Sequence, residues 1–508
     1  MATLPRSATP EETKLYIDRL NQVAQIAKID LHIEEVVGRD KSLDVVVDIF
    51  NRVNSGGTKL SKGDLALAKL CAEWPDARQS MRSRLATWKK AGFDFRLEWL
   101  LRNVTTIRTG QAYFNALESV SPAEFKKGLE DSTKAIDYVL NLVAARLGLD
   151  TNRVLGGKYA FPVMSRFVVE SGGKLPGAEE QGKLLYWYAH SFLWGRYAGS
   201  TETKLNQDLT ALKAGGLDEM INVLRRSRAD LTIRPEDFTG NSRGARFYPL
   251  LYLMSRAGQA RDLAAGGLNL SAHLLGKLAT LQVHHIFPQA RLYDAKYIRG
   301  DVNAIANFCF LTQDANLEIR DKLPEVYFAE CEARFPGALE SQWIPTDPAL
   351  RKIERYKDFL AERRRLLAAA ANEILDALIA TPAPAPTEVS TELTIFTSAE
   401  ESEESDADEG PVGAQVAAIV DEYGLATPAT VDVVVDLDSG DELGMADFLW
   451  PDGLQGAYDD PVVLTFDGDA GESEAMTAAG YKVFHSVEAF VSMLAKRSEG
   501  LVGVGSAS

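Results

Sequence analysis

The chain has 508 residues, 46% of them apolar and 25% charged, with 39 Gly, 20 Pro and 3 Cys. That composition suits about three globular domains and excludes both a collagen-like fibre and a disulfide scaffold. The formal charge of -17 argues against a nucleic-acid partner only if it is spread evenly along the chain.

From Pro10 to Lys28 the apolar positions Tyr16, Ile17, Leu20, Val23, Ala24 and Ala27 recur at helical spacing, and Thr9-Pro-Glu-Glu supplies a cap and early acids. A helix is predicted there. Ser42 to Asn51 is helix-compatible, Asn54-Ser-Gly-Gly57 turns the chain, and Ser61 with Asp64 resembles a capping box for a helix through Leu70. The turn suits either a corner needing positive φ or an anion-binding nest, and no Walker spacing follows it. Helical spacing returns in Ala77 to Lys90, Pro122 to Leu147, Gln181 to Tyr197, Ser200 to Ala214, Leu217 to Arg226 and Phe247 to Leu263. The body is therefore expected to be mainly α-helical.

Leu281-Gln-Val-His284-His285-Ile-Phe-Pro288 reads as a short strand stopped by proline, with adjacent imidazoles near its end. Asp301 to Leu311 ends in a second apolar run, and Gln313 to Lys322 begins a helix. Strand, loop, strand, helix can set one imidazole and the Asn316 amide around a divalent ion while the second imidazole deprotonates water. Phosphodiester hydrolysis needs both functions. Two adjacent histidines without a neighbouring carboxylate or cysteine equally describe a satisfied pair at a domain edge.

The last helix of the body is predicted over Pro348 to Ile379, carrying Arg351, Lys352, Arg355, Lys357, Arg363, Arg364 and Arg365 as a basic surface, solvated or near phosphates. Beyond it, Thr381-Pro-Ala-Pro-Ala-Pro-Thr387 and seven acids between Glu400 and Glu409 mark a Pro-rich acidic linker over 381–410. Residues 411–508 offer strands at Val431 to Leu437, Pro461 to Phe466 and Gly480 to Phe484, and an apolar helical stripe over Ser486 to Lys496, which suits a small α/β domain. Its carboxylates Asp447, Asp459, Asp460, Asp467 and Asp469 lack the Glu-x-Lys partner of a second nuclease site, and Phe466-Asp-Gly-Asp-Ala470 reads as a turn. Glu388 to Ser508 holds 26 acidic and 3 basic residues, a net -23, whereas Met1 to Thr387 holds 52 basic and 46 acidic residues, a net +6. The acidic part is expected to be repelled by DNA and drawn to the basic body or to a basic partner, or to act only as solubilising ballast.

His284-His285-Ile-Phe-Pro, Asn303 to Thr312 and Asn316 to Pro324 resemble the ββα-metal (HNH) nuclease module at the carboxyl end of DUF262/DUF1524 (GmrSD-type) proteins. Asp48 to Asp64 is similar to the segment closing the family's DUF262 domain, and Gly195-Arg-Tyr197 through Leu205 and Asp208 to its helical middle. The resemblance spans about 15 to 335 and implies a multidomain chain: 1–75 a DUF262 remnant, 76–265 the helical middle, and 266–380 the nuclease module with its trailing basic helix. It implies His284 and Asn316 as metal ligands, His285 as general base, and Asn307 as the residue that orients the base or closes the ββ turn. Arg291, Arg320 and Lys322 are candidate phosphate contacts, with solvated or locally paired roles as the alternative. His284 stands where Asp is commoner, which lowers the site's negative charge; magnesium or manganese is expected ahead of zinc or nickel. The family's amino-terminal ParB-like domain, with its Asp-Gly-Gln-Gln-Arg signature, has no counterpart here, so the chain resembles a member lacking that half, or one whose true start lies upstream, and no nucleotide-driven cycle is expected of this polypeptide.

The implied function is a cytoplasmic metal-dependent DNA endonuclease of the restriction or phage-defence class, with no membrane partner. It would act on double-stranded DNA, modified or not, as a homodimer or with a separate regulatory or nucleotide-hydrolysing subunit. The alternative is a non-catalytic nucleic-acid-binding or scaffold subunit.

Overall fold

The computed structural model describes residues 74–393 apart from 153, 176, 198–200, 240–246, 265, 272–280 and 381–387, together with most of 410–503 and a few positions before 74. Met1–Lys59 and Leu60–Ser508 form two compact units, and every element below belongs to the second. The helices predicted at Pro10 to Lys28, 42–51 and 61–70 lie, but for a few positions, outside the described residues, as do the Asn54 to Gly57 turn and most of the linker.

The chain is mainly helical, with small sheets. The body runs α1 (Ala77–Lys90), α2 (Leu97–Thr109), α3 (Pro122–Leu147), α4 (Phe161–Glu170), α5 (Ala178–Leu193), α6 (Thr201–Arg228) and α7 (Tyr248–Ala257). Among the described residues no helix is long and apolar enough to cross a membrane. α3 starts on a full capping box: Ser121 caps the Glu124 amide, Glu124 returns a carboxylate to the Ser121 N–H at 2.9 Å, and Pro122 holds the first position. α1 and α3 coincide with the predicted spans. α5 ends at Leu193 and α7 at Ala257, earlier than their apolar spacing suggested.

The helix bounded by Thr201 and Arg228 is two helices broken at Gly215 and Gly216, where φ reaches +64°. This is the break read from the sequence. α2 and α4 were not expected; α2 buries every residue from Trp99 to Ile107, the polar Arg102, Asn103, Thr105 and Thr106 among them, and stacks Trp99 on Phe95 at 3.9 Å.

Two buried ion pairs tie the helices. Arg196 forks onto Asp208 with distances of 2.9 and 3.1 Å, and the Tyr197 hydroxyl donates to the same carboxylate at 2.8 Å. The Gly195-Arg-Tyr197 and Asp208 positions quoted above thus form one clamp between the end of α5 and α6. Arg256 of α7 pairs with Asp150 at 2.9 Å, and Tyr252 donates to Asp150 at 3.2 Å.

After α7 come β1 (Gln282–His285), α8 (Gln289–Asp294), the single turn α9 (Arg299–Val302), β2 (Phe308–Leu311), α10 (Gln313–Ile319), α11 (Pro324–Arg334) and the single turn α12 (Ala338–Ser341). β1 and β2 pair antiparallel as a two-stranded ribbon, with His284 opposite Cys309 and His285 opposite Phe308. Its inner residues pack on α7, where Tyr252 meets Phe310 edge-on at 4.9 Å.

The trailing helix α13 (Tyr356–Asp376) is entered through 3-10 turns at Pro348–Arg351 and Ile353–Arg355 and left through one at Ala377–Ile379. The basic surface read along it needs one correction. Arg363 is fully buried and donates to the carbonyls of Ala306 at 2.8 Å, Phe308 at 2.6 Å and Gln342 at 3.3 Å. It lies on the apolar stripe of α13 with Phe359, Leu360 and Leu367.

The exit of α13 rests on α5 at Gly182, where an added Cβ would lie 1.9 Å from the backbone oxygen of Leu378. Backbone on both sides cannot yield as a side chain can. Gly182→Ala is expected to destabilise the protein by about 1–3 kcal/mol, read as a lower denaturation midpoint at unchanged m-value; an unchanged midpoint would mean that the contact opens freely.

Residues 410–503 carry α14 (Gly410–Tyr423), β3 (Val433–Val435), β4 (Glu442–Met445), β5 (Phe448–Trp450), β6 (Val462–Leu464), α15 (Ala470–Ala478), β7 (Lys482–Phe484) and α16 (Val487–Gly503). β3 and β4 form a hairpin, while β6 runs antiparallel to β5 and parallel to β7. The sequence showed three of these five strands. β4 and β5 are short and separated by Asp447, whose carboxylate accepts the Phe466 amide at 2.8 Å. Asp460 pairs with Lys482 at 2.9 Å, and 467–469 lie outside the described residues. Val416, Ile419, Trp450, Leu464, Phe490 and Leu494 share one apolar cluster. Within the predicted linker, the carbonyls of Ser390 and Glu392 accept from the Asn141 amide of α3 at 2.9 and 2.6 Å.

Candidate functional site

The ribbon and the helix after it place the predicted residues. Successive side chains of a strand point to opposite faces, so β1 sends His284 and His285 to different neighbours. His284 meets Asn316, with Nδ1 2.8 Å from Oδ1, and stands edge-on to Tyr327. His285 meets Phe308 edge-on at 4.8 Å, and its Nε2 lies 3.1 Å from Asn303 Oδ1 and 2.9 Å from Gln289 Nε2. The partners described for the two rings are different residues.

Asn316 reaches His284 because Thr312 starts α10 directly after β2. The Thr312 side chain caps the Ala315 amide, and its carbonyl accepts from the Asn316 N–H at 3.0 Å. Asn316 also donates to Gln282 Oε1 at 2.9 Å. Burial pushes the His284 imidazole down to about 4, so the ring is neutral near pH 7 and keeps a lone pair. Its Nε2 is buried without a hydrogen-bond partner.

The donor set can be tested against a divalent ion. Among the described residues, no three His, Cys, Asp or Glu side chains converge as metal ligands. The His284 nitrogen and Asn316 oxygen, 2.8 Å apart, match one edge of an octahedral shell, about 2.9 Å for bonds of about 2.1 Å. That pair is now a hydrogen bond with the ring proton on Nδ1, so it would hold an ion only once the proton moves to Nε2, with the other ligands taken from water and phosphate; it cannot close a structural zinc site.

Asn307 is fully buried. Its amide accepts from Phe287 N–H at 2.9 Å and donates to the carbonyls of Phe287 at 3.1 Å and Val302 at 3.0 Å. Of the two roles considered for it, these bonds serve closure of the loop between the strands.

Among the candidate phosphate contacts, Arg291 pairs with Asp321 at 3.1 Å and Lys322 with Glu330 at 2.8 Å. Both are exposed pairs worth about 0–1 kcal/mol, which an incoming phosphate can replace. Arg320 is exposed, carries a positive φ of 51° at the end of α10, and donates through Nε to Leu317 O at 3.0 Å.

Gln282, Gln289 and Asn303 complete the polar surroundings of the two histidines and were not singled out beforehand. Gln289 also donates to Asn303 at 3.2 Å, which links α8 to the His285 face. Only Asn303 left a signal, as the first residue of the Asn303 to Asn307 segment. No protein-family model matches the chain, and no curated protein matches it either.

Proposed function

We propose that the chain is a metal-dependent DNA endonuclease of the restriction or phage-defence class, built on a ββα-metal (HNH) module. One observation carries this reading: a ribbon bearing adjacent histidines is followed by a helix whose Asn316 lies 2.8 Å from His284. His284 and Asn316 would hold a magnesium or manganese ion, which supplies positive charge to the phosphate and the leaving oxygen.

Nε2 of His285 can either donate to Asn303 Oδ1 at 3.1 Å or accept from Gln289 Nε2 at 2.9 Å; in the tautomer that donates to Asn303, Nδ1 would be the basic nitrogen that takes a proton from water. The imidazolium so formed would hold its Nε2–H on the Asn303 oxygen, and the Gln289 amide, which reaches both groups, would turn its bond wholly to Asn303. Asn307 holds the loop that separates the strands. Arg291, Arg320 and Lys322 would bind phosphates of a duplex, modified or unmodified. A homodimer, or a separate regulatory subunit, would account for cutting both strands.

A second reading, a non-catalytic nucleic-acid-binding or scaffold subunit, is favoured by the direct His284–Asn316 hydrogen bond between two neutral groups. Incubation of the full chain with supercoiled plasmid and Mg2+, Mn2+, Zn2+ or Ni2+ separates the two. Nicked or linear DNA is expected from the parent. Asn316→Ala should need about 10- to 100-fold more metal for the same rate. DNA binding with no cleavage under any of the ions would favour the second reading.

A further inference from the structure

The carboxylate of Asp262 is completely buried between α7 and the ribbon, contributed by the short segment that follows α7. Its Oδ2 accepts two hydrogen bonds from one residue, the Thr312 N–H at 3.1 Å and the Thr312 hydroxyl at 2.5 Å, and its Oδ1 accepts from the Ala264 N–H at 3.3 Å. Burial raises its carboxyl above the usual range, and these hydrogen bonds oppose the rise. A carboxylate stays in an interior only where such donors are fixed around it.

The segment that holds Asp262 is itself fixed. Asp262 N–H donates to Leu268 O at 2.7 Å, and Leu270 N–H to Ala260 O at 2.7 Å. The neighbouring Arg261 N–H donates to Ser341 Oγ at 2.9 Å. The carboxylate is thus presented by a braced loop, 50 residues before the residue that it grips.

That residue is the cap of α10. Thr312 Oγ1 gives its proton to Asp262 and keeps its lone pairs for the Ala315 N–H, so the carboxylate sets the direction in which the hydroxyl caps. One turn on, Asn316 turns its oxygen to His284. A rotation of the first turn of α10 would move that oxygen away from the imidazole.

We infer that Asp262 is a positioning residue of the nuclease site, acting through Thr312 to hold Asn316 at the donor edge it forms with His284. The inference rests on the metal-site reading above. It assigns a part in ion binding to a residue that touches neither the ion nor the substrate.

The test is Mn2+ binding to the full-length protein, followed by the electron paramagnetic resonance of free Mn2+, with no cleavage required. Asp262→Ala and Asn316→Ala should each raise the half-saturating Mn2+ concentration about tenfold. The double variant should rise no further than the larger single effect, because both changes act on the same oxygen. Asp262→Asn, which keeps an oxygen for Thr312, should recover most of the affinity, while Thr312→Val should not. If circular dichroism shows Asp262→Ala to be unfolded, Asp262→Asn and Thr312→Val decide.

Wild-type affinity in Asp262→Ala, or multiplicative losses in the double variant, would overturn the inference and leave the metal site standing. Absence of Mn2+ uptake by the parent would remove the metal site and the positioning role together.

Discussion

His285→Ala is expected to leave plasmid intact under conditions where the parent nicks it, with a loss of about 10²- to 10⁴-fold in the single-turnover rate at saturating Mn2+. The size follows from the role: without the imidazole, water must lose its proton to bulk solvent, and no other base lies among the described partners of this face. The imidazole leans on Phe308, and its Nε2 lies against the amides of Asn303 and Gln289, bonding to one or the other according to its tautomer. Its removal leaves the ribbon register, set by backbone pairing, in place. DNA affinity at fixed salt should therefore be unchanged, which separates lost chemistry from lost binding. Asn303→Ala should fall between parent and His285→Ala, because it removes the acceptor that steadies the protonated ring. Equal cleavage by parent and His285→Ala would show that this imidazole is not the base.

Arg363→Met is expected to lower the stability of the folded body by about 3–5 kcal/mol. Methionine fills much of the same volume, so a cavity is not the cause. Three carbonyl oxygens, those of Ala306, Phe308 and Gln342, lose their donors inside the protein. Each such loss costs about 1–3 kcal/mol, and removal of a desolvated charge returns part of the sum. Burial pushes the guanidinium down to about 10, still cationic at neutral pH, so the interior holds a charge stabilised largely by backbone dipoles. Arg363→Lys keeps the charge but cannot span the three carbonyls, and should recover only part of the loss. Chemical denaturation followed by tryptophan fluorescence reads the effect; a variant as stable as the parent would mean that water takes the place of the guanidinium.

What the sequence disclosed and what it concealed divide along physical lines. α1 and α3 were visible because each has one apolar stripe and, for α3, a Ser121-Pro-x-Glu124 start. α2 was passed over although Leu97, Leu100, Leu101, Val104 and Ile107 keep helical spacing; what the sequence does not show is that the polar residues between them are buried as well. The halves of α6 were read separately because two glycines interrupt the periodicity at the position where the backbone breaks.

At the site, the adjacent histidines and Asn316 stood out by residue type and local order. Asp262 and Gln289 did not, because their partners are set by the folded chain; Asp262 is 50 residues from Thr312 and no spacing announces that pair. Arg363 was misread although a signal existed. Its neighbours Glu362, Arg364 and Arg365 suggest a solvated run, yet its spacing of four from Phe359 and four from Leu367 puts it on the buried stripe. Spacing should outweigh charge wherever a single arginine interrupts an apolar series.

The hold of Asn141 on Ser390 and Glu392 fixes the chain to the body close to the start of the acidic part. Beyond Leu393, sixteen residues lead to α14. Even at full extension they reach no farther than about 55 Å. Gly410 to Ser508, with 17 acidic and 3 basic residues, is therefore confined with the body inside a sphere where its local concentration is about 2 mM. A polyanion at that concentration would compete for cationic surfaces within reach, and diluting the protein would not diminish it. If a duplex binds the body, low-salt affinity is expected to rise on deletion of residues 388–508; unchanged affinity and salt slope would leave the acidic part as solubilising ballast.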